Sequence, residues 1–219
     1  MISRDLITQS IPVLLISSKI SRARQLFLEF GISHLPVVRK GKFLGMVASV
    51  ACVSHPDSSQ TIKELENDFI KASVPEDIHF LDVVKISVEN HLSAIAVLKD
   101  YEYAGTIRTD TLLEHLALQY SFNEPGGIIT LVMPVRDFSL SEIAHIVESN
   151  NAKILSYYLS QNADASRLTV TLKLNSLFMK NIIATFQRYE YEVSVFHFNE
   201  LQQDDLKDRF DHLMKYLNI

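Results

Sequence analysis

The sequence predicts an α+β protein in two parts: a tandem β-α-β-β-α repeat related by an approximate twofold axis, then a β-α-β-β-α-β module. Three observations predict this fold. Residues 34–51 recur in weaker form 60 positions later, so that Gly45 aligns with Gly105 without a gap. Residues 121–127 form a break that is rich in turn residues. The pattern of strands and helices after that break differs from the pattern before it.

The composition excludes several classes of protein. Of the 219 residues, 47% are apolar and 21% are charged, which is typical of a globular protein. The net charge of −5 argues against a nucleic-acid partner, because such proteins need a basic surface. The single cysteine, Cys52, excludes an internal disulfide and suits a reducing compartment. The only early apolar run, residues 11–16, is too short to span a bilayer, so we expect a cytoplasmic protein without a membrane partner.

The first copy, assigned to residues 1–60, reads as strand, helix, strand, strand and helix. Residues 11–16 form the first strand, and Ser18 is expected to cap a helix that Gly31 ends. Two apolar runs around residues 39–42 predict a β-hairpin. A short helix near residues 49–53 follows, and Pro56 must end it.

The second copy, assigned to residues 61–122, repeats this order. Thr61 and Glu64 have the spacing of a capping box, which predicts a short linker helix. Strands at residues 93–98 and 103–108 repeat the hairpin, and Asp110 is expected to cap the last helix. The apolar face of that helix is broad enough for a partner and comprises Leu112, Leu116 and Tyr120.

Residues 127–200 form the second module. Strands are predicted at residues 128–134, 152–160, 168–174 and 193–198, with two helices between them. Ser139 and Glu142 have capping-box spacing at the start of the first helix. The β-α-β-β-α-β order predicts a ferredoxin-like sandwich with both helices on one face. Residues 201–219 have an apolar stripe that predicts an amphipathic helix, formed by Leu206, Phe210, Leu213, Met214 and Leu217.

Residues 8–120 resemble a pair of cystathionine-β-synthase (CBS) domains. The resemblance rests on the helix end at residues 30–32, the strand at residues 35–38 and the strand at residues 43–47. Residues 128–198 resemble an ACT domain, on the basis of residues 135–140 and 154–156. The combination is similar to the acetoin-utilisation accessory family. This resemblance implies a homodimeric sensor that binds adenosine nucleotides between the CBS repeats and amino acids at the ACT module.

The resemblance also implies where a nucleotide would bind. Related repeats have a hydroxyl residue three positions after the strand glycine and an aspartate six positions after it. Here the first copy has Ala48 and Ala51, and the second has Arg108 and Thr111, so neither keeps the ribose carboxylate. A ribose hydroxyl without its acceptor costs about 1–3 kcal/mol, which is roughly ten- to a hundred-fold in affinity. The equivalent strand residues Pro36 and Ala96 complete the candidate set, to which Asp110 also belongs.

The second copy is the better candidate. Arg108 has a guanidinium that can bind a phosphate through two hydrogen bonds, and Asp110 lies next to the missing carboxylate position. The alternative is that Asp110 caps the helix and Arg108 is a solvated strand residue. The implied ligands are AMP, ADP, ATP and S-adenosylmethionine, and no cofactor is assigned.

In the second module, the candidate amino-acid contacts are residues 137–140, namely Asp137, Phe138, Ser139 and Leu140. Ser139 stands where the ACT family tends to have glycine, and helix capping is the alternative role for it. The six glycines form neither a P-loop nor a dinucleotide fingerprint, and the histidines lack metal-ligand spacing. The sequence therefore predicts a non-catalytic, homodimeric regulatory protein without a metal site. The alternative is an assembly scaffold that has lost ligand binding.

Overall fold

The computed structural model describes residues 1–8, 11–161 and 166–196, and the chain divides into two compact units, Met1–Leu116 and Ala117–Ile219. The helix expected at residues 201–219 lies outside the described residues. The helices are α1 (Ile20–Phe30), α2 (Ser49–Ser54), α3 (Phe80–Glu89), α4 (Thr109–Gln119), α5 (Leu140–Ser149) and α6 (Lys180–Arg188). The strands are β1 (Leu14–Leu15), β2 (His34–Arg39), β3 (Lys42–Ala48), β4 (Ser73–Pro75), β5 (Ala94–Lys99), β6 (Glu102–Arg108), β7 (Ile128–Pro134), β8 (Ile154–Gln161), β9 (Arg167–Leu174) and β10 (Glu192–Phe196).

The first unit contains one six-stranded sheet in the order β1-β2-β3-β6-β5-β4. β1 pairs with β2, and β4 with β5, in parallel, while β2-β3 and β5-β6 are antiparallel hairpins. The two hairpins meet at the middle of the sheet, where Lys42 of β3 pairs with Glu102 of β6. Counted inward from either edge, the sheet has the first, second and third strand of one copy, so one copy of the repeat lies on each side of the middle.

The register of the two hairpins is the same when one is shifted by 60 positions. Val37 pairs with Gly45 in the first, and Val97 with Gly105 in the second. The register shifts directly after Val37 in β2 and directly after Val97 in β5. The predicted internal repeat is confirmed.

Three predicted helix caps are not formed. α4 begins at Thr109, so Asp110 lies inside the first turn of that helix and does not precede it. α1 begins after Lys19, and the Ser18 hydroxyl instead accepts a hydrogen bond from the backbone N–H of Leu15 at 3.1 Å. Thr61 precedes a 3₁₀ helix, Ile62–Asp68, and its side chain makes no cap. Glu64 N, the donor that a capping box would use, donates to the Thr61 backbone carbonyl at 3.1 Å, and Ile62 N donates to Ser18 O at 2.8 Å, so backbone carbonyls satisfy that helix end.

Each copy is completed by an extended segment that belongs to the other copy. Near the N-terminus, Thr8 N donates to Thr106 O of β6 at 2.8 Å. In the linker before β4, Ile70 and Met46 of β3 exchange two backbone hydrogen bonds of 2.8 and 2.9 Å. These segments lie directly on the repeated glycines, since a Cβ added at Gly45 would be 2.7 Å from Phe69 Cβ. The apolar core of this unit is continuous through both copies.

The second unit has a four-stranded antiparallel sheet in the order β10-β7-β9-β8. Its elements follow the predicted order β-α-β-β-α-β. Alternate residues of β7 and β9 are buried in one cluster with α5 and α6, so both helices cover the same face of the sheet. β8 is an edge strand and exposes much of its length. The last predicted strand reaches Phe196, and residues 197–198 lie outside the described part of the chain.

Candidate functional site

Arg108 joins the two copies of the first unit. It is the last residue of β6, and its Nε donates to both carboxylate oxygens of Asp110 at 2.8 and 2.9 Å. Its Nη2 also donates to Asp110. Its Nη1 donates to the backbone carbonyl of Phe30, the last residue of α1, at 3.0 Å. A residue of the second copy thus caps the carboxyl end of a helix in the first copy.

The Arg108–Asp110 pair is charged and partly open to solvent. The hydrogen bond from Arg108 is the largest cause that lowers the pKa of the Asp110 carboxyl, and burial opposes it. Asp110 also accepts from the backbone N–H of Thr111 at 2.8 Å. The exposed fractions of the two side chains are 26% for Arg108 and 53% for Asp110. A pair this exposed contributes only about 0–1 kcal/mol to folding.

The start of α4 is held by the loop before β5. Thr109 donates from its backbone N–H to Ser93 O at 3.0 Å and from its hydroxyl to Leu92 O at 2.6 Å. The first copy repeats the backbone bond, with Ser49 N donating to Ser33 O at 2.8 Å. At the position equivalent to Arg108, however, it has Ala48, which offers no cation. The two copies therefore share a backbone but differ in the charge that they can present.

His34, the first residue of β2, is a second junction residue. Its Nδ1 accepts from the backbone N–H of Ser93 at 3.2 Å and lies 3.3 Å from the Ser93 hydroxyl. The same hydroxyl accepts from Ser33 N at 2.9 Å. Burial lowers the pKa of His34, which favours the neutral ring. The asymmetry between His34 and its equivalent Ala94 is the sequence signal that could have identified it.

The structure brings together only part of the predicted nucleotide set. Arg108, Asp110 and Thr111 are neighbours at the start of α4, and Thr111 is half-buried. Pro36 and Ala96 are buried in the middle of their strands, where they pair with Met46 and Thr106. Ala48 and Ala51 are half-buried in the first copy. The Phe30 carbonyl was not predicted, because a backbone acceptor 78 positions away leaves no sequence signal.

The predicted amino-acid contacts divide between two cavities of the second unit. Asp137 lines a cavity of about 400 Å³ together with Glu142, Tyr191 and Arg167. Leu140 lines a different groove of about 910 Å³ that includes Tyr120 and Lys153. Neither Phe138 nor Ser139 lines either space.

The smaller cavity has a strongly acidic wall. Tyr191 donates its hydroxyl to Glu142 Oε2 at 2.8 Å, and burial, with Glu142 as the next cause, raises the pKa of Tyr191 to about 12. Arg167 forms an ion pair with Glu192 across the same cavity. Ser139 caps α5 by accepting from Glu142 N at 3.3 Å, as predicted. The Glu142 carboxylate therefore bonds Tyr191 at the cavity, and the helix cap uses only the Glu142 backbone N–H, so the other half of the predicted capping box is not formed.

Other expected features can be checked over the described residues. Cys52 is buried, and burial raises the pKa of its thiol to about 11. Within residues 1–8, 11–161 and 166–196, no cluster of His, Cys, Asp and Glu side chains has the arrangement of a metal site. In the same ranges, no helix has the length and apolar character needed to cross a bilayer.

Comparison with known proteins finds one family model that matches part of the first copy. Residues 2–50 match the family model of the CBS domain. CBS domain pairs are regulatory, ligand-sensing modules. A search of curated proteins found no significant match.

Three solved structures illustrate what the chain is similar to. A CBS domain pair/ACT domain protein from Thermotoga maritima is 17% identical, with 54% of this chain and 98% of that chain covered and a TM-score of 0.48. The CBS domain pair of protein MJ0100, in complex with 5′-methylthioadenosine and S-adenosyl-L-methionine, is 20% identical, with 53% and 96% covered and a TM-score of 0.45. CBSX2 in complex with AMP is 15% identical, with 53% and 96% covered and a TM-score of 0.45.

Proposed function

We propose that this chain is a non-catalytic, cytoplasmic regulatory protein whose first unit binds an adenine nucleotide. The observation that carries the proposal is the duplicated sheet of this unit. Residues 2–50 match the CBS domain, and the second copy repeats its strand order and register on the other side of the sheet. The two hairpins align at a constant offset of 60 residues, which supports residues 1–60 and 61–122 as the two repeats.

The start of α4 is the proposed nucleotide site, with Arg108 as the group that binds phosphate. The two N–H groups on one edge of its guanidinium, Nε and Nη2, match the spacing of two phosphate oxygens. Ala48 cannot repeat this contact in the first copy, so we expect one nucleotide per chain. Without a ribose carboxylate in either copy, binding is expected to be about ten- to a hundred-fold weaker than in a repeat that keeps it.

The second unit, at residues 127–200, is proposed to be an ACT-like module with a ferredoxin-like sheet. Its strand order and the position of both helices on one face support this assignment. The cavity beside Asp137 is the proposed amino-acid site. Its acidic wall favours the ammonium group of a ligand over its carboxylate, which would have to share Arg167 with Glu192.

A homodimer is the proposed assembly. The edge strand β8 exposes three neighbouring apolar residues, Tyr157, Tyr158 and Leu159, and no described strand pairs with its outer edge. Pairing with a second copy would satisfy that edge. Light scattering checks the assembly, and a monomer at micromolar concentration would contradict it.

The second candidate function is a ligand-free assembly scaffold. It is favoured by large exposed apolar side chains on α1 and α2, of which Leu28 is 86% exposed and Val50 and Val53 are about two-thirds exposed. In this function, Arg108 would serve only to tie the two copies together through Phe30.

Thermal unfolding with ligands separates the two functions. The wild-type chain would be melted with AMP, ADP, ATP, S-adenosylmethionine and a panel of amino acids. A ligand at a hundred times its dissociation constant stabilises by about 2.7 kcal/mol, which raises Tm by several degrees. Arg108→Ala should abolish the nucleotide shift. Arg39→Ala is the matched control, because Arg39 forms a comparably exposed pair with Glu66 in the same unit.

The outcomes are distinct. A nucleotide shift that survives in Arg39→Ala and disappears in Arg108→Ala supports the nucleotide sensor. A shift that both variants keep would move the binding site away from Arg108. No shift with any ligand would favour the scaffold.

A further inference from the structure

Asp110 occupies the same edge of Arg108 that a phosphate would need. Nε and Nη2 lie on that edge, and both donate to the Asp110 carboxylate. We infer that Asp110 is a built-in competitor for the anionic group of the ligand, so that a phosphate binds Arg108 only by displacing this carboxylate. The inference rests on the proposed nucleotide site and adds how that site is regulated.

The remaining contact of Arg108 explains how the exchange can occur without loss of the site. Nη1 lies on the other edge of the guanidinium and donates to the Phe30 carbonyl. That bond fixes the plane of the guanidinium while its outer edge changes partner. A phosphate that replaces Asp110 would therefore meet an arginine that is already oriented.

The displaced Asp110 carboxylate keeps other hydrogen-bond partners. Asp110 accepts from the backbone N–H of Thr111 at 2.8 Å, and half of its side chain is exposed to water. Opening the pair therefore leaves no buried charge without a partner. Because the pair is exposed and easily hydrated, the competition is weak, and its removal should tighten phosphate binding roughly two- to five-fold.

The competition predicts a specific pattern of ligand preference. A ligand with a phosphate, such as AMP, must displace Asp110, whereas adenosine has no anionic group to place at Arg108. Removing the carboxylate should therefore strengthen AMP binding and leave adenosine binding unchanged. An effect of general packing or stability would change both ligands alike.

Calorimetric titration of AMP and adenosine at constant ionic strength tests the inference. Asp110→Asn is the informative variant, because the amide oxygen can still accept from Thr111 N while the negative charge is lost. Glu114→Gln is the matched control. Glu114 lies one helical turn further along α4 and acts on Arg108 through charge alone, without a described hydrogen bond to it. Melting curves establish that both variants are folded.

The expected result is a two- to five-fold lower AMP dissociation constant in Asp110→Asn, with a smaller change in Glu114→Gln and no change for adenosine. Equal gains in the two variants would overturn the inference, since direct competition would not be needed. Equal gains for AMP and adenosine would overturn it as well. If the wild type binds AMP and Asp110→Asn binds it no better, this inference fails and the nucleotide site remains. If no variant binds AMP, both fail.

Discussion

Replacing Gly45 by alanine tests how closely the linker before β4 lies on the first copy. Gly45 has a φ of +150°, and a Cβ built there would be 2.7 Å from Phe69 Cβ and 3.2 Å from Ile70 O. Both neighbours are close to or part of the backbone, so they cannot turn aside as the end of a flexible side chain would. Overpacking of this kind costs about 1–3 kcal/mol, and the positive φ adds about 1 kcal/mol. Gly45→Ala should therefore lower the free energy of unfolding by roughly 2–4 kcal/mol.

Gly41→Ala separates the two contributions to that loss. Gly41 also has a positive φ, +82°, but nothing lies within 4 Å of the position of its Cβ. It should carry only the conformational cost of about 1 kcal/mol. Urea unfolding of both variants measures the difference. If Gly45→Ala costs no more than Gly41→Ala, the linker does not lie on β3 as described.

Three further predictions concern titratable groups. Because burial lowers the pKa of His34 in the folded state, stability should be constant above its unfolded pKa of 6.5 and should fall as the pH drops below it. His34→Asn, whose amide oxygen can accept from Ser93 N, should flatten that dependence, which urea midpoints measured above and below pH 6.5 would show. Cys52 should resist alkylation at pH 8 in the folded protein and react fully in denaturant, and fast labelling of the native chain would contradict its burial. Tyr191→Phe should lower the free energy of unfolding by about 0.5–1.5 kcal/mol, because it removes one hydrogen bond to Glu142. An unchanged melting curve would contradict that contact.

The part of the fold that depends on local patterns could be predicted from the sequence. The repeat, the hairpins and the order of elements follow from runs of apolar residues and from the spacing of Gly45 and Gly105. These patterns can be recognised in one sequence. Helix caps were harder to predict. Ser18 and Thr61 have good capping chemistry, but the helix end at Ile62 bonds a carbonyl 44 positions earlier in the chain. The bond at Ile62 leaves no trace in local spacing, whereas the Ser18 hydroxyl has a local alternative to the cap, the backbone N–H of Leu15.

The candidate sites could be predicted only in part, because closeness in sequence does not fix which side chains meet. The neighbours Arg108, Asp110 and Thr111 are close in sequence, so their proximity could be expected. Their mutual pairing could not, because a two-residue separation allows the side chains either to meet or to diverge. Likewise, Asp137 and Leu140 are three positions apart, yet the first belongs to a 3₁₀ turn and the second begins α5. The change of backbone between them directs the two residues to different cavities.

The exchange of segments between the copies has a consequence for synthesis on the ribosome. Thr8 is made early, but its partner Thr106 follows 98 residues later, which is about 5–20 s at ordinary rates of elongation. During that interval the nascent first copy has its own hairpin, but β6, the strand that bonds its N-terminal segment, has not yet been made. Two fragments cut between positions 57 and 59 should consequently recognise each other when mixed, since each carries the segment that the other needs.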